Sequence, residues 1–505
     1  MSDSTKTQAT GLSGFDEYFE ITKRGSNVKS EVRGGFVTFF SMAYILALNP
    51  LIIGTAADKD GLLISGAPKF SDAAQTVVDT AAVGQSIAMV AVVTALLAGV
   101  LTILMGVVGR YPMGMAAGLG LNAMAAYVIA PTMSWPQAMG LIAWEGIVIT
   151  LLMLTGFREA VFRAVPKSLR TAISVGIGLF ITIVAFSNAG VIRKGATLTE
   201  LGVGGTLKGW PILIFFVTLL LLIVMYQRKV KAAMLISIAV GTVLAIIVEY
   251  AAKVGPRTDA EPTGWSLNMP ALPSLESFAA PDFGLLGRVD LIGGFAHDGQ
   301  FTSVSILTGV MLVFSLLLAD FFDTVGTVVA VGSEGGLLDE HGEPPHLREI
   351  LLVDSVSALF GGLGSASSNT SFVESTAGVS AGARTGFASV ITGGAFLLCV
   401  FLTPVVNMVP SEAVAPVLVL VGFMMLSQIS EIDFTDHEMA LPAFFTIVMM
   451  PAAYSITTGI GMGFIMFTLM KAFAGKAKQL HPLMWVVSAM FLFYFLQGLI
   501  AAAIG

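Results

Sequence analysis

The stretch Met113-Gly-Met-Ala-Ala-Gly118-Leu-Gly120-Leu-Asn122-Ala-Met-Ala-Ala-Tyr127 decides how this chain is read. It is apolar, yet too short and too glycine-rich for a plain membrane span, and Pro112 and Pro131 bracket it. It reads as an extended piece leading into a half-helix, which membrane depth tolerates only where it lines a cavity. The second half of the chain holds a counterpart, Gly364-Ser-Ala-Ser-Ser-Asn369-Thr-Ser-Phe372-Val-Glu374-Ser-Thr-Ala-Gly378. Two broken segments at corresponding places predict a transporter with its site at the midplane.

Composition sets the surroundings of these stretches. Hydrophobic residues make up 55% of the chain and charged residues 12%, with a mean hydropathy of +0.86. Soluble domains carry about 25% charge, so most of this chain belongs in lipid. Apolar runs long enough to span recur from residue 34 onward, without the alternation of a membrane barrel. The fold class is therefore an all-α, polytopic membrane protein. The single cysteine, Cys399, excludes a disulfide framework and a thiol metal site. The N-terminal tail, residues 1–33, lacks the apolar core of a signal peptide and reads as cytoplasmic.

Further spans are predicted at about 84–108, 137–156, 171–189, 210–226 and 232–251. Basic residues Arg158, Arg163, Lys167 and Arg170, and later Arg228, Lys229 and Lys231, mark cytoplasmic loops. Seven passes bring the chain to the outside at residue 252, where a Pro/Gly-rich segment to about 300 forms a hinge between halves. The second half carries spans at 303–331, 349–363 and about 387–408. Residues 441–472 read as two short helices broken at Pro451-Ala-Ala-Tyr454, and 483–504 as a further apolar helix. Val165-Pro166 is followed by Gly178, and Val409-Pro410 by Gly422 at the same spacing. This correspondence and the two broken segments predict two inverted repeats of seven, since an odd number of passes reverses orientation.

Ionisable residues inside lipid read as functional by default. Asp320 and Asp323 share one apolar run at a spacing that gives them roughly the same helix face. Small residues Thr324, Gly326 and Thr327 leave room beside Asp323, whereas bulky Phe321 and Phe322 follow Asp320. Asp323 is thus expected to meet the solute, and Asp320 to brace its helix by accepting hydrogen bonds. Glu374 and Asn122 lie beside the half-helices, whose free N–H groups suit an electron-rich solute. Phe322 and Phe372 could supply a stacking face, and Thr324 and Ser371 adjoin the acids as further contacts. Glu145 and Asp354 are also intramembrane acids, and structural roles are expected of them. All five histidines (297, 341, 346, 437, 481) fall in loops, so any proton relay runs on carboxylates. There is no phosphate-binding loop, no metalloprotease helix and no nucleophile elbow. That pattern speaks against an enzyme and calls for no cofactor, metal or nucleic acid.

Several motifs together carry a resemblance. Gly35-Phe-Val-Thr-Phe-Phe-Ser-Met-Ala-Tyr-Ile45 with Asn49-Pro50, and Asp320-Phe-Phe-Asp-Thr-Val-Gly-Thr327, are two of them. Gly118-Leu-Gly-Leu-Asn-Ala123, Phe372-Val-Glu-Ser-Thr-Ala-Gly-Val379, Ala381-Gly-Ala-Arg-Thr-Gly386 and Met450-Pro-Ala-Ala-Tyr-Ser-Ile456 are the others. Over about residues 15–500 the chain resembles the adenine/guanine/hypoxanthine permeases, the AzgA-like branch of the nucleobase–cation symporter-2 (nucleobase–ascorbate) family. The resemblance implies a uracil-transporter-like fold of about fourteen membrane segments in two inverted repeats. The core domain would comprise 34–156 and 303–408, and the gate domain 160–251 and 409–504, joined by an extracytoplasmic linker at 252–300. It implies purine uptake across the cytoplasmic membrane by proton symport, in a homodimer with the N-terminus inside. Asp323 and Glu374 would bind the purine, Asn122 would be the third-segment polar residue, and Glu374, Asp323 and Asp320 would carry the coupling proton. The alternatives are a same-fold carrier of uracil, xanthine or a small anion, or a passive channel.

Overall fold

A computed structural model describes residues 13–72, 77–155, 165–194, 199–258, 261–272, 280–296, 299–340 and 343–504. The predicted loop residues Arg158, Arg163, His297 and His341 lie outside them. Among the described residues, nine helices are long and apolar enough to cross a membrane, and three shorter apolar helices accompany them.

The first span, Val28–Thr55, crosses as one unit but is broken in its middle. Helix α1 (Ser13–Phe19) precedes α2 (Val28–Met42), and α3 (Ile45–Thr55) follows after a tight turn at Ala43–Tyr44. Helix α2 starts upstream of the apolar run because the Asn27 side chain caps it, accepting from the Ser30 N–H at 3.0 Å. Helix α4 (Thr80–Leu104) leads to the first broken segment: strand β1 (Met115–Ala117), then the half-helix α5 (Leu119–Met124). Next come α6 (Trp135–Thr155), α7 (Lys167–Asn188), the hairpin β2 (Ile192–Lys194) and β3 (Thr199–Leu201), α8 (Trp210–Gln227) and α9 (Ala233–Ala252).

The second half holds α10 (Ser303–Gly335), α11 (Leu347–Leu363), strand β4 (Asn369–Ser371), the half-helix α12 (Ser375–Ser380) and α13 (Gly386–Cys399). It ends in α14 (Ser411–Leu426), α15 (His437–Ala452), α16 (Ile456–Phe473) and α17 (Pro482–Ile504). The expected break at Pro451–Tyr454 therefore separates two helices, with Tyr454 at φ 50. Helix α17 packs on α16 and α10, where the Thr468 and Ser488 hydroxyls meet at 2.7 Å and Phe491 meets Phe314.

Strands β1 and β4 pair antiparallel, with Met115 opposite Ser371 and Ala117 opposite Asn369. The pairing joins the two broken segments, so the extended backbone satisfies part of its hydrogen bonding inside the protein. Two helix groups form around this cross. One contains α2–α6 with α10–α13, and the other contains α7–α9 with α14–α16. Without a hydrophobic drive between helices in lipid, close approach depends on small residues. A Cβ on Gly106 would sit 2.4 Å from the Gly386 carbonyl oxygen, so α4's end and α13's start touch backbone to backbone. In the second group, a Cβ on Gly178 would meet the Gly422 oxygen at 2.8 Å, and one on Gly422 the Gly178 oxygen at 2.6 Å. The two glycines singled out by spacing thus face each other across the α7–α14 crossing. Pro166 and Pro410 stand at the N-caps of these same helices.

The long connection after α9 is pinned at both ends. Trp265 donates to Glu249 at 2.7 Å and the Ser266 N–H to Glu412 at 2.9 Å, holding one stretch on the second group. Asp290 N–H donates to the Pro136 carbonyl at 2.8 Å and Trp144 donates to the Leu291 carbonyl at 2.7 Å, holding the other on the first. The outward residues Leu220, Val243 and Ile247 on α8 and α9 are more than half exposed, as a lipid-facing surface requires.

Candidate functional site

Between the two helix groups lies a cavity of about 790 Å³. One wall comes from α7 and α14, with Thr171, Ser174, Ile177, Val421 and Met425. The opposite wall is built by Tyr44, the Gly118–Leu121 turn, α10 and the segment Thr370–Glu374. The half-helix α5 begins at this wall, so its first N–H groups, which have no partner within the helix, are available near the cavity.

Two acids reach the cavity from separate segments. Asp323 projects from the middle of α10 and is exposed only in the sense that the cavity reaches it. Glu374 stands at the N-cap of α12 and lines the same cavity as Asp323. The Tyr44 hydroxyl donates to Glu374 Oε1 at 2.5 Å. Tyr44 is completely buried apart from its approach to the cavity, and it sits at the break between α2 and α3. Sequence reasoning missed this residue, although it lies inside the quoted first-span motif.

Among the other residues expected at the site, Phe322, Ser371 and Phe372 line the cavity beside the acids. Ser371 Oγ is buried without a hydrogen-bond partner. Asn122 and Thr324 do not line it. Asn122 is fully buried behind the Gly118–Leu121 turn, with both side-chain polar atoms unpartnered. Thr324 turns the other way and donates to Asp354 Oδ2 at 2.8 Å. Asp320 also turns away from the cavity, and neither of its carboxylate oxygens is in hydrogen-bond geometry with a donor, although Thr370 lies nearby. The expectation that Asp320 braces α10 by accepting hydrogen bonds is therefore corrected. The i, i+3 offset rotates it toward α6 and α11, where the carboxylates Asp354 and Glu145 face it beside the Thr370 hydroxyl.

The two ends of the cavity differ. Lys167, Arg170, Gln428 and Glu431 surround one end, where Lys167 and Glu431 pair at 2.9 Å and Arg170 lies 5.8 Å from the Phe322 ring centre. At the far end of α7, about 30 Å along a helix of this length, the groups touch. There Asn188 donates to the Tyr127 hydroxyl at 2.9 Å. Among the described residues, no group of three or more His, Cys, Asp or Glu side chains is placed to hold a metal ion.

Comparison with known proteins bears on this geometry. Residues 70–462 match the Permease family denoted Xan_ur_permease. The chain is 35% identical to the guanine/hypoxanthine permease PbuG of Bacillus subtilis, covering 95% of this chain and 99% of that one. It is 34% identical to the adenine permease AdeP of Escherichia coli, covering 97% and 98%. It is 30% identical to the guanine/hypoxanthine permease GhxP of Escherichia coli O157:H7, covering 95% of each. Among solved structures, the transmembrane domain of a cyanobacterium bicarbonate transporter, BicA, superposes with a TM-score of 0.56 at 15% identity, covering 86% of this chain and 97% of that one. The murine anion transporter Slc26a9, in its inward-facing state, gives a TM-score of 0.57 at 11% identity, covering 94% and 74%.

Proposed function

Because the chain belongs to the Permease family, we propose that it is a secondary active transporter importing purine nucleobases, namely hypoxanthine, guanine or adenine. The observation that carries this reading is the meeting of Asp323 and Glu374, from two separate segments, in one cavity shared by two helix groups. A purine offers N–H donors along its edge, and carboxylate oxygens accept them. Phe322 and Phe372 supply apolar faces for the ring. Glu374 Oε1 is engaged by Tyr44, which leaves Oε2 for the base.

Uphill movement needs an ion gradient, since the chain has no nucleotide-binding loop. Protons carried on Glu374, Asp323 and Asp320 fit a chain whose described histidines stand at helix ends. The first helix group is then the core domain and the second the gate domain, related internally as inverted repeats of seven in a fourteen-segment fold. Each core moves like an elevator against its gate, within a homodimer in the cytoplasmic membrane. By the positive-inside rule, the basic end of the cavity faces the cytoplasm, as does the N-terminus. The Tyr127–Asn188 contact then closes the outer side. An anion carrier of the same architecture is disfavoured, because two carboxylates facing the cavity would repel its solute.

Uptake of a labelled nucleobase panel, with and without a proton uncoupler, tests the reading. Saturable, uncoupler-sensitive accumulation of a purine is expected. Non-saturable, purely downhill flux would identify a channel, and accumulation indifferent to the uncoupler would remove the proton.

A further inference from the structure

Behind the cavity wall, on the side away from the solute, lies a group of three buried carboxylates that the purine site does not use. They are Glu145 on α6, Asp320 on α10 and Asp354 on α11, all nearly or fully inaccessible to solvent. A separate small cavity of about 20 Å³ opens among Asp320, Asp354, Thr324 and Ser355. That is room for about one water molecule. Asp320 lines it with both oxygens lacking hydrogen-bond partners, and Glu145 Oε2 also has none. Glu145 Oε1 receives only the Ser368 hydroxyl at 3.3 Å. Neither Asp320 nor Glu145 has a cationic partner among the described residues.

The charged groups facing Asp320 are Asp354 from α11, Glu145 from α6 and Asp323 one turn along its own helix. Facing Glu145 is Asp354. Three anions placed together with only neutral hydroxyls as donors are costly, and uptake of a proton removes one of those charges. The three acids do not converge as metal ligands, so a proton is the ligand that fits.

A path connects this pocket to the solute. Thr370 lines the large cavity, meets the Thr324 hydroxyl at 2.9 Å and points to Asp354 Oδ1 at 3.4 Å. Thr324 in turn donates to Asp354 Oδ2. Each hydroxyl can give one proton and accept another, so the two threonines bridge cavity water and the buried acids. Thr370 sits in the centre of β4, the strand that also carries Ser371 to the purine cavity and pairs with β1. Movement of that strand on solute binding would reach both sites.

We propose that Glu145, Asp320 and Asp354 form a proton-holding site distinct from the purine site, loaded from the cavity through Thr370 and Thr324. One carboxylate takes the proton from cavity water to become a carboxylic acid, and returns it to water after the core has moved. This rests on the reading of the chain as a proton-coupled purine permease, and it places the coupling proton on Asp320 and its two buried neighbours rather than on Glu374 and Asp323.

The test uses the full chain in liposomes with hypoxanthine as probe. Three quantities are read: hypoxanthine counterflow without a pH gradient, proton movement reported by a trapped pH dye, and accumulation under a pH gradient. A gradient of about one pH unit supports about tenfold accumulation for each coupled proton. Glu145→Gln, a neutral isostere, is expected to retain counterflow and hypoxanthine-induced thermal stabilisation while losing proton movement and accumulation. Glu145→Asp, which keeps the carboxyl group, is expected to restore proton movement. Wild-type proton movement in Glu145→Gln would overturn the site while leaving symport intact. A Glu145→Gln protein that neither folds nor binds hypoxanthine would also overturn it, because the isostere mimics the loaded state. If the wild type exchanges hypoxanthine but moves no protons, the symport reading falls and this site falls with it.

Discussion

Replacing Glu374 by glutamine tests the purine site most directly. The carboxylate accepts the Tyr44 hydroxyl on Oε1, so a base N–H has the second oxygen to itself. Glutamine has the same shape, but one terminal atom becomes an NH2 group. If that group faces the cavity, it meets the base donor to donor. If it faces Tyr44, the hydroxyl must reverse its role and the bond to the base loses its charge. A hydrogen bond to a charged group contributes about 1.5–3 kcal/mol, so affinity should fall roughly tenfold to a hundredfold. The assay is purine-induced thermal stabilisation of purified protein, because a ligand that binds only the native state stabilises it according to its affinity. Stability without purine should be nearly unchanged, since Tyr44 keeps a polar partner. An unaltered purine-dependent shift and unaltered uptake would refute the placement of Glu374 against the base.

Asp323→Asn should likewise weaken purine binding by roughly tenfold to a hundredfold with little change in ligand-free stability, because Asp323 faces the cavity rather than a structural partner; equilibrium binding and thermal unfolding check the two halves. Gly386→Ala should lower thermal stability in detergent by about 1–3 kcal/mol, because the added Cβ would lie 2.0 Å from the Gly106 carbonyl oxygen. At the N-terminal tail, hydrogen bonding to Lys23, together with Arg24, draws Glu20 down from 4.5 to about 2. A lowered acid contributes stability above its unfolded value and loses it as pH falls through the folded one. Protection of residues 13–33 against hydrogen exchange, taken relative to the intrinsic rate at each pH, should therefore persist down to about pH 4.5 and fall toward about pH 2, and Glu20→Gln should remove that step.

How far the sequence reached can be traced residue by residue. The broken segments were legible because glycine and proline contradict a continuous helix within an otherwise apolar run, a conflict that needs no partner to detect. The acids were legible as well, since charge in lipid stands out against its neighbours. What lay beyond reach was rotation about the helix axis. Asp320 and Asp323 differ by three residues, hence by about 60° around a helix of 3.6 residues per turn, and packing divides them between two cavities. Asn122 and Thr324 fail to line the large cavity for the same reason: each follows a lining residue directly, and one step along a helix turns a side chain by about 100°. Tyr44 gave no compositional signal at all, because an aromatic in an apolar span looks like any lipid-facing ring. Its role depends on Glu374, 330 positions away. Glu145 and Asp354 show the same limit most clearly. Taken singly, each reads as an isolated structural acid, and only the packing of α6 against both α10 and α11, with the Thr324–Asp354 hydrogen bond, makes them a group. Local chemistry thus announces which residues are costly to bury, while tertiary packing decides which of them share a charge.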